Sequence, residues 1–73
     1  MKYIEFNLVE QKPKTSIWAV RNIASQIILG YIKWHPQWRQ YCFFPESDTI
    51  FSVGCLNDIN SFIIEETNRR KNG

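Results

Sequence analysis

The sequence predicts an α+β fold: an antiparallel sheet of three to four strands with one C-terminal helix packed on one face, in the order β-β-β-β-α. Three observations predict it. Tyr3 to Val9 alternates apolar and polar residues with the period of a half-buried strand. Runs of β-branched and aromatic residues then recur between proline- and asparagine-containing breaks. After Gly54 the apolar residues Leu56, Ile59, Phe62 and Ile63 fall three and four apart, the stripe of an amphipathic helix.

Taken in order, the first strand is Tyr3 to Val9, with Ile4, Phe6 and Leu8 on one side and Tyr3, Glu5 and Asn7 on the other. Gln11-Lys12-Pro13-Lys14 ends it, because proline cannot donate to a ladder and restricts the residue before it. Thr15 to Ile23 and Ile27 to His35 read as the second and third strands, joined by the polar stretch Asn22 to Gln26. His35-Pro36-Gln37 is expected as a short hairpin turn leading into a fourth strand, Trp38 to Phe44, which Pro45 closes. Thr49 to Val53 could add a short edge strand. The helix is expected to begin near Gly54 or Cys55 and to run for about 12 to 16 residues. Asp58 would sit in its first turn and Arg69, Arg70 and Lys71 in its last, with Asn72-Gly73 fraying beyond them.

A chain of 73 residues supports one hydrophobic core, so residues 1–73 are read as a single domain. Its 44% apolar content and 15% aromatic content argue against disorder. No stretch reads as a secretory leader or a membrane span, so the expected location is the cytoplasm, with no membrane partner. Cys42 and Cys55 are too few for a secreted disulfide scaffold and are expected as reduced thiols. The net charge of +2 is modest, but its distribution is not. Gln11 to Pro45 carries Lys12, Lys14, Arg21, Lys33 and Arg39 and no acid, whereas Glu46 to Glu66 carries acids and no base. The two parts should therefore differ in surface potential.

The supply of catalytic groups is poor. His35, the single histidine, stands beside Pro36 in a turn, and Cys55 at a helix start reads first as a small packed side chain. Two distant cysteines and one histidine do not make a zinc site. Gly30, Gly54 and Gly73 form no phosphate loop. No catalytic residue, metal or cofactor is therefore assigned, and the chain is read as a non-enzymatic binding protein.

Sorting strands two to four by face places Trp18, Val20, Ile28, Gly30, Ile32, Trp34, Trp38, Cys42 and Phe44 against the helix. Ala19, Arg21, Leu29, Tyr31, Lys33, Arg39, Tyr41 and Phe43 go to the opposite face. Arg21, Tyr31, Lys33, Arg39 and Tyr41 are the candidate partner-binding residues, because basic groups neutralise phosphates, aromatic faces stack on bases, and both suit protein hot spots. An ordinary solvated face has the same composition. Exposed Leu29, Tyr41 and Phe43 would also allow a homodimer. Gly30 in mid-strand implies close approach by the helix or an indole ring, or a β-bulge. The acids Glu46, Asp48, Asp58, Glu65 and Glu66 read as a solvated outer surface, or as a nucleic-acid mimic facing a basic partner.

Leu29-Gly30-Tyr31-Ile32-Lys33-Trp34 followed by Trp38-Arg39-Gln40-Tyr41-Cys42-Phe43-Phe44-Pro45 resembles a pattern of short uncharacterised bacterial and phage or prophage proteins, LGxIxW leading into WRxYxFxP. The resemblance extends back to Lys14 and forward to Ile59, and it brings no catalytic residues with it. It implies a mobile-element setting, in which small proteins often bind host proteins, anti-CRISPR inhibitors of host defence among them. A looser architectural likeness is to the sheet-reading N-terminal DNA-binding domains of integrases. The leading expectation is thus an accessory protein that binds and modulates a host protein, such as a nucleic-acid-handling effector, by occlusion. Direct nucleic-acid binding through the basic, aromatic sheet face is the alternative.

Overall fold

The computed structural model describes residues 3–72, with side chains to Arg70; Gly73 and the side chain of Lys71 lie outside the described residues. Four strands, β1 (Ile4–Gln11), β2 (Ser16–Asn22), β3 (Ile28–His35) and β4 (Gln40–Pro45), precede one helix, α1 (Val53–Asn72). The strands form one antiparallel sheet in sequence order, β1-β2-β3-β4, and the helix covers one face of it. The predicted α+β class and element order are thus what the chain adopts. No strand forms over Thr49 to Val53.

The helix begins where Ser52 caps it. The Ser52 hydroxyl accepts from the backbone N–H of Cys55 at 3.2 Å, satisfying one of the donors that a helix start leaves free. At 20 residues α1 is longer than expected, and its start at Val53 moves Asp58 out of the first turn. Its apolar stripe is held by an aromatic chain that crosses the sheet. Phe62 stacks on Phe6 of β1 at 4.1 Å and meets Trp18 of β2 edge-on at 5.0 Å. Tyr41 of β4 sits edge-on to both Trp18 and Trp34, each at 5.3 Å. Beneath these rings Ile4, Val20 and Ile32 are fully buried. Each such aromatic pair contributes about 0.5–1.5 kcal/mol beyond its burial.

Three local irregularities decide which side chains share a face. First, the hairpin between β3 and β4 is longer than the expected turn. Pro36 to Arg39 form a four-residue loop between the paired residues His35 and Gln40, closed by the Arg39 N–H donating to the His35 carbonyl at 2.8 Å. Arg39 ends that loop in the left-handed region at φ 55°. Trp38 and Arg39 are therefore loop residues, and β4 starts two residues later than expected. One residue of register inverts every side chain. Tyr41 and Phe43 consequently point to the helix, while Cys42 and Phe44 point away.

Second, the β2–β3 register shifts beside Gly30, where Val20 pairs with Gly30 but Arg21 pairs with Ile28. The extra residue, Leu29, is buried in the core cluster with Ile4, Val20 and Ile59. A β-bulge of this kind re-aims a side chain. The β-bulge reading of Gly30 holds, because the register breaks there, and the close approach has another partner: a Cβ would lie 2.7 Å from the Phe43 ring and 2.5 Å from the Phe44 carbonyl oxygen. The approaching ring is a phenyl of β4, neither an indole nor the helix. Third, β1 bulges between Leu8 and Glu10, so Glu10 pairs with Ile17 and joins the face of Ala19 and Arg21.

Candidate binding surfaces

The five candidate residues do not share one surface. Arg21, Tyr31 and Lys33 lie on the open face of the sheet, as their register requires. Arg39 is exposed in the β3–β4 loop. Tyr41 is only 4% exposed and faces the helix. Its hydroxyl accepts from the Ser16 N–H at 3.2 Å, and its own N–H, on the outer edge of β4, donates to the Thr67 hydroxyl at 3.1 Å. That second bond lets the helix cover part of an edge strand that would otherwise present an open donor. With Leu29 and Tyr41 buried and Phe43 packed on the core, the apolar trio considered for a homodimer is not exposed.

The open face is not a basic surface. Glu5 stands directly across from Arg21, and the guanidinium donates to Glu5 Oε1 at 3.1 Å and to Asn7 Oδ1 at 2.9 Å. Lys33 lies 4.5 Å above the Phe44 ring. The bulge in β1 adds Glu10 to the same face. Two acids therefore match two bases across the sheet, and an exposed pair such as Glu5–Arg21 contributes about 0.2–1 kcal/mol. Cys42 is a free thiol on this face and Cys55 a free thiol in the core.

Loop cations instead gather at one end of the strands, and six of the exposed large apolar side chains lie at the other. At one end meet the β1–β2 loop (12–15), the β3–β4 loop (36–39) and the last turn of α1. A cleft of about 380 Å³ there is lined by Lys12, Lys14, Arg69, Arg70 and one acid, Glu66, over a floor of Trp18 and Tyr41. A neighbouring groove joins Arg70 to Arg39, Trp34 and Pro36. Arg69 is held by Glu65 at 3.6 Å and Glu66 at 3.2 Å. The Arg70 guanidinium lies 5.1 Å over the Trp34 ring, and its buried Nε has no hydrogen-bond partner among the described residues. Trp38 is 66% exposed on the same rim, stacked on His35 at 4.4 Å.

At the other end lie the β2–β3 loop (23–27), the approach to the helix and its first turns. Tyr3, Ile23, Ile27, Ile50, Val53 and Leu56 are exposed there, Ile50 at 91% and Val53 at 74%. Tyr3 ties two of these segments together: the Ile23 N–H donates to the Tyr3 carbonyl at 3.0 Å, and a Cβ on Gly54 would lie 3.7 Å from the Tyr3 ring. Glu46 and Asp48 flank them in the β4–α1 loop, and Asp58 shares a groove with Ile23. Sequence reasoning found the basic and acidic segments but not these ends, because a period-two sort assigns residues to faces and says nothing of how loops gather. The available signal was the loop charge at Lys12 and Lys14; Arg39 joined it only when the longer β3–β4 loop took it out of the strand.

No helix of the described residues is long and apolar enough to cross a membrane. No protein-family model matches the chain, and no solved structure matches it at a significant level. A comparison with curated proteins finds similarity to an uncharacterized 9.3 kDa protein of Acholeplasma phage L2, 35% identical over 71 residues, spanning 96% of this chain and 91% of the phage protein. With identity at that level sustained along nearly the whole of both chains, this chain belongs to the family of that small phage protein.

Proposed function

We propose that this chain is a phage-type accessory protein that acts by binding, docking on a host protein and modulating it by occlusion. Two things support the reading: membership of a phage protein family, and the exposed apolar cluster around Ile50 and Val53. The cluster is the observation that carries it. Single exposed apolar residues need no explanation, but a group of six at one end of so small a domain is the composition of a docking surface. Glu46, Asp48 and Asp58 beside it call for a partner whose apolar patch is rimmed by cations. Host effectors that handle nucleic acid carry basic working surfaces of this kind, CRISPR effectors included, and blocking one would make the chain an inhibitor. In this reading the contact moves from the sheet face to the helix-start end.

The experiment is cross-linking in a bacterial host expressing the tagged chain, beside the variant Ile50→Asp/Val53→Asp. A partner with a basic surface that cross-links to the wild-type chain and is lost in the variant is the expected result. Retention of every partner by the variant overturns the reading. So does light scattering that shows the wild-type chain dimeric and the variant monomeric, since a second copy would then be the occupant.

A further inference from the structure

We infer that the basic end is a binding site for single-stranded nucleic acid, distinct from the apolar docking end and independent of it. Four cations converge there without a carboxylate partner among the described residues: Lys12, Lys14, Arg39 and Arg70. Arg69 is not counted, because Glu65 and Glu66 hold it. The β1–β2 and β3–β4 loops are separated by two strand spacings, about 10 Å, so the cations form a short track rather than a point. Arg70 lies in the middle of it, shared by the two clefts. Its guanidinium lies 5.1 Å over the Trp34 ring, which holds a cation at the centre of the track.

Trp38 selects nucleic acid over an acidic protein as the occupant. Its ring is exposed on the rim of the same track, and one face is already supported by His35 at a 24° interplanar angle. A base laid on the other face would complete a three-ring stack, and unpaired bases offer such faces where a duplex hides them. A phosphate track with an aromatic platform at its end is the arrangement by which small domains hold single strands without reading sequence.

The test is fluorescence anisotropy with a labelled oligothymidylate of about 16 nucleotides, the upper end of what a small domain covers. Each phosphate neutralised on a single strand contributes about 0.7 to the salt slope, so four cations predict a slope near −2.8. Affinity of the wild-type chain should then fall about 50-fold between about 50 and about 200 mM salt. In Lys12→Gln/Lys14→Gln/Arg39→Asn that loss should shrink to about threefold, since Arg70 alone remains. Asparagine is chosen at the loop's end because it tolerates the left-handed conformation. Trp38→Ala should weaken binding about tenfold and leave the salt slope unchanged. No binding at about 50 mM salt overturns the proposal, and so does a Lys33→Gln variant that loses as much slope per charge as the loop variants. Poly-glutamate competing at equal charge concentration, with Trp38→Ala indifferent, would reassign the end to an acidic protein and overturn it as well.

Discussion

The two ends of the sheet are built on opposite principles. At the basic end exposed charge stands on a closed floor. Tyr41 is wedged between two indoles, with its hydroxyl and its N–H both bonded, and the helix's last turns lie against it. At the apolar end large side chains such as Ile50 and Val53 reach solvent with nothing in the fold beneath them to fill. The lesson is that in a domain this small, the residues that look most functional by composition can be the ones that hold it together. Tyr41 has the chemistry of a contact residue and the location of a core residue.

That contrast can be broken by measuring stability at each end. The largest effect should come from Tyr41→Ala, which removes a buried ring and leaves the Ser16 N–H without its acceptor. A loss of about 3–5 kcal/mol by urea denaturation is expected, a large share of the roughly 5–15 kcal/mol that holds a domain folded. A loss below about 0.5 kcal/mol would mean that Tyr41 is a surface residue and the basic end has no such floor. Next comes Thr67→Val, nearly isosteric, which leaves the buried N–H of Tyr41 without an acceptor. It should cost about 1–3 kcal/mol, and a neutral result would show that water reaches the β4 edge.

The apolar end should respond more weakly, and only where backbone is involved. Ser52→Ala deletes the helix cap and should cost about 1 kcal/mol, lowering the thermal midpoint by about 4–8 °C. Smallest of all, Ile50→Ser should leave stability within about 0.5 kcal/mol, because the side chain buries nothing in the free protein. If it destabilised by much more, the apolar end would be part of the core and the contrast between the ends would disappear.

Charge follows the same division. In the chain, bases run from Lys12 to Arg39 and acids from Glu46 to Glu66. In the fold, Arg21 is met by Glu5 and Asn7, Glu10 joins that face, and Arg69 is held by the acids one turn before it. What stays unbalanced is the loop charge. Lys12, Lys14 and Arg39 gather because two hairpins open at the same end, and Arg70 joins them because an antiparallel sheet returns the helix's last turn to that end.

Most of the architecture was legible in the residues, and the candidate site only in part. The alternation of Ile4, Phe6 and Leu8, the broken runs around Trp18 and Ile32, and the stripe from Leu56 to Ile63 each name their element, because burial of one face imposes its own period. Arg21, Tyr31 and Lys33 also fell on the face that their parity implies. Tyr41 and Arg39 did not, since the expected hairpin turn was shorter than the Pro36–Arg39 loop. Trp38 was read as a core ring for the same reason, and it is an exposed one.

By itself, then, the sequence determined the class, the order of elements, the amphipathic helix and the unequal distribution of charge, all set by local periodicity and composition. Tertiary structure alone decided which aromatic rings are buried, which bases are neutralised, and which loops share an end. Those outcomes depend on single-residue shifts at the bulges beside Val9 and Leu29 and in the loop before Gln40. A strand's period survives such a shift while its faces exchange, and no local pattern records the exchange until the strands are paired.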